Sequence, residues 1–387
     1  MIASYFLIYR GLGDLMKVLM ITECLAGGVL TYLTNVCNEL DKKGFKVYII
    51  YSAKEQTPDL EILKESFNKG IILKEISFSR SKPGDYLNLY SYYKKNIESI
   101  EPDIVHFHSS FSGFIGRSIN LFKNNKSHKS FYSPHGYAFL KKDNTKVTNW
   151  IFRFLENILS KIDKSTTILP ISNSEYRESL KMTKRTKLVS TGIDHILINS
   201  FINKQIINPK SKTNVVSLGR LSTQKNPRLF LEIAKLCKDE GLDIKFTWIG
   251  GGELYNEVIV YIKENQLEEY VEITGWLPYE EAILQVYKKA DIYLQTSLWE
   301  GLPLTILEAM YLEKAVVVNN APGNIDPIEH GENGYISHSA NEFLQIIMKL
   351  SNDRYLLKKI SSSAKYTVEE KFLIRENVNL LVEQYGR

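Results

Sequence analysis

Hydrophobic positions fall into short apolar or alternating runs separated by longer stretches with helical spacing. The runs read as strands near Val18–Thr22, Lys46–Tyr51, Ile71–Ile76, Ile104–His108, Lys129–Ser133 and Thr167–Ser172. A loop bearing Gly27-Gly28 leads into a helix that reaches about Lys43, and Gly44 ends it. Asn149–Leu159 carries the spacing of an amphipathic helix. After residues 203–213, NKQIINPKSKT, which have no sustained hydrophobic pattern and read as a linker, the alternation restarts. Strands are expected at Asn214–Leu218, Lys245–Ile249, Val271–Thr274, Ile292–Gln295 and Ala315–Asn319. Helices are expected at about Pro227–Lys238, Glu253–Glu264, Glu280–Lys288 and Leu304–Tyr311, and the chain beyond Ile346 is helical and charged. Alternation at this spacing argues a parallel sheet covered by helices on both faces, and the pattern occurs twice. The fold class is therefore α/β with two doubly wound, Rossmann-like domains, over residues 17–205 and 206–370.

The first fifteen residues, MIASYFLIYRGLGDL, are too short and irregular for a signal peptide, and Met16 stands just before the first strand. The expectation is that the native protein starts at Met16. Composition changes little: 44% hydrophobic and 24% charged residues over 387 positions describe a folded chain. Cys24, Cys37 and Cys237 form no C-x-x-C and leave an odd one over, which fits a reducing compartment. The net charge of +5 is uneven, with 13 Lys/Arg against 7 Asp/Glu from Lys82 to Lys164, interleaved with aromatic residues. That stretch could rest on an anionic membrane or be an ordinary solvated face. The basic surplus is small and no reading motif appears, so nucleic acid is not an expected partner.

The stretch DIYLQTSLWEGLPLTILEAMYLEKAVVVNN, residues 291–320, runs strand, turn, short helix, strand. Glu300 lies in the turn and Glu308 inside an otherwise apolar helix. The N–H groups of the first helical turn suit an anion such as a diphosphate. A carboxylate one turn further in, if buried, needs a hydroxyl donor, which a sugar or ribose diol would supply. A solvent-facing glutamate is the alternative. Ser217-Leu218-Gly219-Arg220-Leu221 with Lys225 puts two cations beyond the first strand of the second domain, matched to a diphosphate or merely superficial. Gly250-Gly251-Gly252-Glu253 and Gly275-Trp276-Leu277-Pro278 follow the next two strands, so glycine-bearing loops gather at one sheet edge. Gly27-Gly28 allows close backbone approach to a phosphate or sugar, or is a plain turn; it is neither G-x-G-x-x-G nor a P-loop. His135-Gly136 follows a strand of the first domain, where the histidine could donate to a hydroxyl or phosphate oxygen or be structural. His106 and His108 share a strand face, but no third metal ligand stands at a suggestive spacing.

The run SLWEGLPLTILEAM, with seven residues between Glu300 and Glu308, resembles the signature of the retaining glycosyltransferases of family 4. GGVLTYLTNVCNEL, the HG at 135–136, SLGRLSTQKNP, IGGGE, GWLP and PGNIDPIEHGENGYI support it in the family's order, from Lys17 to Arg387. The resemblance implies a GT-B architecture: two Rossmann-like domains facing a central cleft, with residues 371–387 as a helix crossing back to the first. It implies a UDP- or GDP-sugar donor on the second domain and a saccharide or polyprenyl-diphosphate-linked acceptor on the first. Arg220 and Lys225 would hold the diphosphate, Glu308 the ribose hydroxyls and Glu300 a hydroxyl of the sugar, while His135 would contact the sugar. Gly27, Gly28, Gly219, Gly251, Leu277, Gly301, Leu302, Pro303 and Leu304 would line the donor. Pro322-Gly323-Asn324 with Asp326 stands where many relatives have a glycine pair and a glutamate. No D-x-D occurs, and the implied chemistry needs no metal and no further cofactor. The implied setting is the cytoplasm, at the inner face of the plasma membrane, in cell-surface polysaccharide synthesis. A sugar-nucleotide epimerase or a non-catalytic partner of the same fold are the alternatives.

Overall fold

The computed structural model describes residues 15–53, 57–76, 83–121, 128–203, 205 and 212–386. The expected start at Met16 turns on residues 1–14, outside the described residues, as is most of the linker read at 203–213. The chain divides into two compact units. One holds the residues up to Leu140, Lys146–Thr191 and the chain from Ile374; the other holds Lys141–Thr145 and Gly192–Leu373.

In the first unit the strands are β1 (Lys17–Thr22), β2 (Lys46–Ser52), β3 (Ile72–Ile76), β4 (Ile104–His108), β5 (Lys129–Ser133) and β6 (Thr166–Ile168). The helices are α1 (Gly27–Lys42), α2 (Leu60–Ser66), α3 (Pro83–Ile100), α4 (Ser110–Leu121), α5 (Lys146–Ile162) and α6 (Asn173–Met182). The second unit contains α7 (His195–Ile202), β7 (Thr213–Leu218), α8 (Pro227–Asp239), β8 (Ile244–Ile249), α9 (Tyr255–Glu264) and β9 (Val271–Ile273). It continues with α10 (Tyr279–Lys289), β10 (Ile292–Gln295), α11 (Leu304–Tyr311), β11 (Ala315–Asn319), β12 (Tyr335–Ser337), α12 (Ala340–Asn352) and α13 (Arg354–Lys371). The last helix, α14 (Ile374–Gly386), packs on α1 in the first unit.

All strand pairs are parallel, and the two sheets share one topology, β3-β2-β1-β4-β5-β6 and β12-β11-β10-β7-β8-β9. Each is the doubly wound order, in which the winding direction reverses between two adjacent central strands. The reversal lies at β1/β4 in one unit and β7/β10 in the other. Helices cover both faces, so the central strands β1, β4, β10 and β11 are buried almost throughout, which explains their unbroken apolar runs.

Several local readings change. Gly27 and Gly28 are not a loop before α1 but its first two residues, with Ala26 as an N-cap that makes no side-chain bond. The strand read at Thr167–Ser172 stops at Ile168, because Pro170 follows and the Ser172 hydroxyl caps α6 by accepting from the Glu175 N–H. The helix read at Asn149–Leu159 extends over Lys146–Ile162, and the helix read from Glu253 starts at Tyr255. Helices α2, α3, α4, α6 and α7 and strand β12 were not legible from periodicity.

One buried charge pair ties the helical layer to the first sheet. Arg117 on α4 is 1% exposed and bonds Glu156 of α5 at 2.5 Å, the Gly113 carbonyl at 3.1 Å and the Ser160 hydroxyl at 3.3 Å. Its guanidinium lies 4.4 Å from the centre of the Tyr132 ring, whose hydroxyl donates to Glu156 at 3.0 Å. Every group of this set has a partner, so breaking one side strands a charge in the interior. Arg117→Met is expected to destabilise the first unit by about 3–5 kcal/mol, with Arg117→Met/Glu156→Leu recovering much of the loss. Urea unfolding checks this, and equal losses in the single and double variants would count against it.

Candidate active site

The reversal of strand order in the second unit places the loops after β7 and β10 side by side at the carboxyl edge of the sheet, where open α/β sheets hold ligands. Hydrogen bonds to backbone carbonyls knit the two loops. The Leu298 N–H donates to the Gln224 carbonyl at 2.8 Å, and the Thr296 hydroxyl to the Lys225 carbonyl at 2.8 Å. Across this seam Lys225 Nζ lies 2.7 Å from Glu300 Oε1. Gln224 Nε2 donates to Glu300 Oε2 at 3.2 Å and to the Trp299 carbonyl at 3.0 Å. The lysine expected to meet a diphosphate and the glutamate expected to meet a sugar thus neutralise one another. Both remain partly open to solvent, at 19% and 11% exposure. Arg220 is more open and has Glu253 as a loose neighbour at 3.9 Å.

Helix α11 begins directly beyond this seam. Its N-cap is Pro303, which offers no side-chain acceptor to the first-turn N–H groups. Gly301 is partly exposed, while Leu302, Pro303 and Leu304 are buried. One turn in, Glu308 is buried, not solvent-facing, and accepts a 2.8 Å hydrogen bond from the Tyr279 hydroxyl at the start of α10. The hydroxyl donor that a buried carboxylate needs is thus supplied by Tyr279. Burial pushes the Glu308 carboxyl from its ordinary 4.5 up to about 7, against the lowering pull of the Tyr279 hydrogen bond and the Lys225 charge.

The glycine loops do gather at this edge, and much of their purpose is loop-on-loop packing. A Cβ at Gly250, where φ is +134°, would lie 2.2 Å from the Gly219 carbonyl oxygen. The Leu221 N–H donates to the Gly251 carbonyl at 2.8 Å, locking the β7 and β8 loops together, and Leu277 follows in the β9 loop, partly exposed. The divergent Pro322-Gly323-Asn324 block braces the Glu300 turn. The Glu300 N–H donates to the Pro322 carbonyl at 3.0 Å, and Asn324 donates to the Ser297 carbonyl at 2.9 Å. Gly323, at φ +83°, leaves no room for a side chain, since a Cβ would stand 2.6 Å from the Glu300 carbonyl. Sequence reading missed Tyr279, Gln224 and this brace. Their partners are far along the chain, and only the sheet topology brings them in.

In the first unit His135 follows β5 in a left-handed conformation, φ +53°, ahead of Gly136 at φ +90°. Glu175, fully buried, holds that turn by accepting from the N–H groups of Gly136 and, at 3.0 Å, Ile171. The His135 Nε2 is 2.9 Å from Nδ1 of His108, which is buried beside it on β4. His106 completes a row, with Nε2 2.9 Å from the Ser133 hydroxyl and Nδ1 2.7 Å from the Tyr385 hydroxyl of α14. Ser133 gives its own proton to the Leu169 carbonyl at 2.7 Å, so it accepts from His106 Nε2–H, and His106 Nδ1 accepts from Tyr385. His108 Nε2 faces the Met20 sulfur at 3.3 Å, a group that can only accept, so His108 carries its proton there and Nδ1 accepts from His135. On this assignment the remaining His135 nitrogen, Nδ1, is an acceptor for a hydroxyl rather than the donor expected from sequence. Burial holds all three rings neutral, His135 with its pKa lowered to about 3 and the other two well below the ordinary value. Hydrogen bonds to Ser133 and Tyr385, not metal ligation, account for His106, and among the described residues no group of three or more His, Cys, Asp or Glu is arranged to hold a metal ion. Gly27 and Gly28 are exposed at the start of α1, with open space where a side chain would lie.

The Glu308 carboxyl and the three imidazoles contribute to stability with opposite dependence on pH. Glu308 binds its proton more tightly when folded, so its contribution is complete below pH 4.5 and is lost as pH rises to about 7. The histidines are neutral when folded, so theirs is present above their unfolded pKa of about 6.5 and is lost as pH falls. Ligand-free wild-type protein is therefore expected to lose roughly 2–3 kcal/mol relative to Glu308→Gln between pH 4.5 and 7.5. Urea unfolding of the pair across that range checks this, and parallel curves would contradict the buried, proton-binding carboxyl.

Comparisons with known proteins bear on the family and the fold. A family model described as Glycosyltransferase Family 4 matches residues 26–196, and one described as Glycosyl transferases group 1 matches 199–367. A UDP-Gal:α-D-GlcNAc-diphosphoundecaprenol α-1,3-galactosyltransferase from Escherichia coli is 26% identical over 361 residues, covering 89% of this chain and 90% of that protein. Among solved structures, sucrose-phosphate synthase from Thermosynechococcus elongatus superimposes with a TM-score of 0.79 at 15% identity, over 96% of this chain and 98% of that one. HepE from Anabaena, crystallised with UDP and glucose, gives 0.74 at 17% identity over 96% and 99%. At such identities the structural likeness speaks for the fold alone. With consecutive glycosyltransferase models spanning nearly all of the chain, and a two-unit fold shared end to end with these structures, the chain belongs to the glycosyltransferases of the GT-B fold.

Proposed function

We propose that the protein is a retaining glycosyltransferase that moves a sugar from a UDP- or GDP-sugar to a saccharide or polyprenyl-diphosphate-linked acceptor in cell-surface polysaccharide synthesis. It would act in the cytoplasm, at the inner face of the membrane. The observation that carries the reading is the Lys225–Glu300 pair beside the uncapped start of α11, with Glu308 buried one turn further in. A nucleoside diphosphate offers each of these groups a partner. Lys225 turns from Glu300 to the diphosphate, joined by Arg220 and the first-turn N–H groups, and Glu300 is released to accept from a sugar hydroxyl. Ribose hydroxyls donate to Glu308 in its ionised form, so donor binding draws off its proton. The E. coli relative's diphosphoundecaprenol substrate and the UDP and glucose bound by HepE support the donor and acceptor classes.

In the reaction the anomeric carbon–oxygen bond to the diphosphate breaks and a bond to the acceptor oxygen forms on the same face. The acceptor proton passes to the departing diphosphate oxygen. Negative charge grows on the diphosphate as it leaves, and Arg220, Lys225 and the helix start stabilise it more in the transition state than in the ground state. Glu300, freed from Lys225 and kept in place by Gln224, is a positioning and electrostatic group and forms no covalent intermediate. Charge stabilisation by the chain's own cations is the basis for proposing metal-independent transfer. The role of His135, contact with the sugar, rests on the family resemblance.

Thermal-shift screening with UDP- and GDP-sugars identifies the donor, and transfer in excess EDTA tests metal-independence. With the donor in hand, Glu300→Gln and Arg220→Ala are expected to lower kcat/KM by about 10²-fold or more, the scale of one lost transition-state contact. Wild-type rates in both variants would remove these residues from the mechanism.

A further inference from the structure

Helix α5 carries apolar residues on both faces: Phe152 packs on the core of the first unit and Leu159 is buried, while a second apolar stripe faces outward. Glu156 and Ser160 face the unit's interior, bound to Arg117, while Leu159 is the one large apolar residue of the helix that is fully buried. The outer face carries Val147, Trp150, Ile151, Phe154, Ile158 and Ile162, between 37% and 68% exposed. Steps of three and four place these residues on one stripe along the helix. Trp150 and Phe154 stack along it, with ring centroids 5.4 Å apart and planes 11° from parallel. An apolar stripe of this length on a water-facing helix marks an interaction surface.

Charge identifies the partner. Lys146 and Lys161 are exposed near the two ends of the helix, and exposed Lys164 follows it. The helix's sole carboxylate, Glu156, is buried and paired, and Arg153 is engaged by Glu178 at 2.8 Å. A second copy fits poorly, since parallel pairing of two α5 helices brings lysine onto its own equivalent and antiparallel pairing brings Lys146 onto Lys161. No exposed carboxylate on the helix relieves either arrangement. An anionic lipid surface suits both features: acyl chains accept the stripe, headgroups accept the lysines, and Trp150 is of the type that sits at the boundary between them.

We propose that α5 is a membrane-docking helix, lying in the plane of an anionic bilayer with the Val147–Ile162 stripe immersed to the level of the acyl boundary. It gives the proposed membrane location a physical basis and uses no residue of the donor site, so either reading can fail without the other.

The test is cosedimentation of the full chain, without donor, with phosphatidylglycerol/phosphatidylcholine vesicles and with phosphatidylcholine alone. Wild type is expected to bind the anionic vesicles, with a blue shift in Trp emission that Trp150→Phe removes. Trp150→Ser/Phe154→Ser, exposed changes that leave the thermal unfolding profile intact, should weaken binding about tenfold or more, a loss of about 1.4 kcal/mol. Lys146→Glu/Lys161→Glu should abolish the preference for anionic lipid. Three results would overturn the proposal: no vesicle binding by wild type, equal binding by the serine variant, or a wild-type dimer in sedimentation equilibrium that the serine variant dissolves. Retention of the donor-induced thermal shift by the serine variant separates this outcome from failure of the donor site.

Discussion

Lys225 and Glu300 belong to different loops, one after β7 and one after β10, and the 2.7 Å ion pair between them spans the seam where the sheet reverses its winding. The pair is half-sheltered, so it is neither a screened surface contact nor a deeply buried one whose desolvation would outweigh its attraction. Gln224 on one side and the Pro322 carbonyl on the other fix the glutamate's approach. The two charges stabilise each other, and the cation proposed to meet a diphosphate is not left bare. On the proposed reading, a sugar-bearing diphosphate replaces this contact by offering an anion to the lysine and a hydroxyl to the glutamate.

Around that seam the loops approach too closely for side chains. Gly250 passes the Gly219 carbonyl and Gly323 the Glu300 carbonyl at distances that exclude a Cβ. The glycines therefore serve the precision of the site through packing, whether or not each also touches a ligand. Pro322-Gly323-Asn324 departs in sequence from the pattern common among relatives, yet it has a clear task here, since it positions the backbone that presents Glu300.

The elements that position the site were legible because central parallel strands are buried on both faces and leave continuous apolar runs, as at Ile292–Gln295 and Ala315–Asn319. Glu308 stood out for the same reason, a carboxylate in an apolar helix. Its partner Tyr279 did not, because 29 residues separate them and nothing local marks a tyrosine as a donor. Likewise His108 was visible as a strand-end histidine, while its bond to His135 and the Glu175 clamp on the following turn depend on β4, β5 and α6 converging. The amphipathic pattern over 149–159 was read correctly as a helix, but periodicity does not say which face turns inward. In α5 the inner face carries Phe152 and buried Leu159 together with Glu156 and Ser160, which meet Arg117, and a second apolar stripe is left outside.

The account stands on a nucleoside diphosphate seating at the β7/β10 edge of the second unit, and a crystal structure with UDP or GDP bound tests it most directly. The predicted result is a ribose hydroxyl within hydrogen-bond distance of the Glu308 carboxylate, with Arg220 and Lys225 on the diphosphate and the Lys225–Glu300 contact opened. A nucleotide bound elsewhere, with Lys225 still on Glu300 and Tyr279 still the sole donor to Glu308, would contradict it.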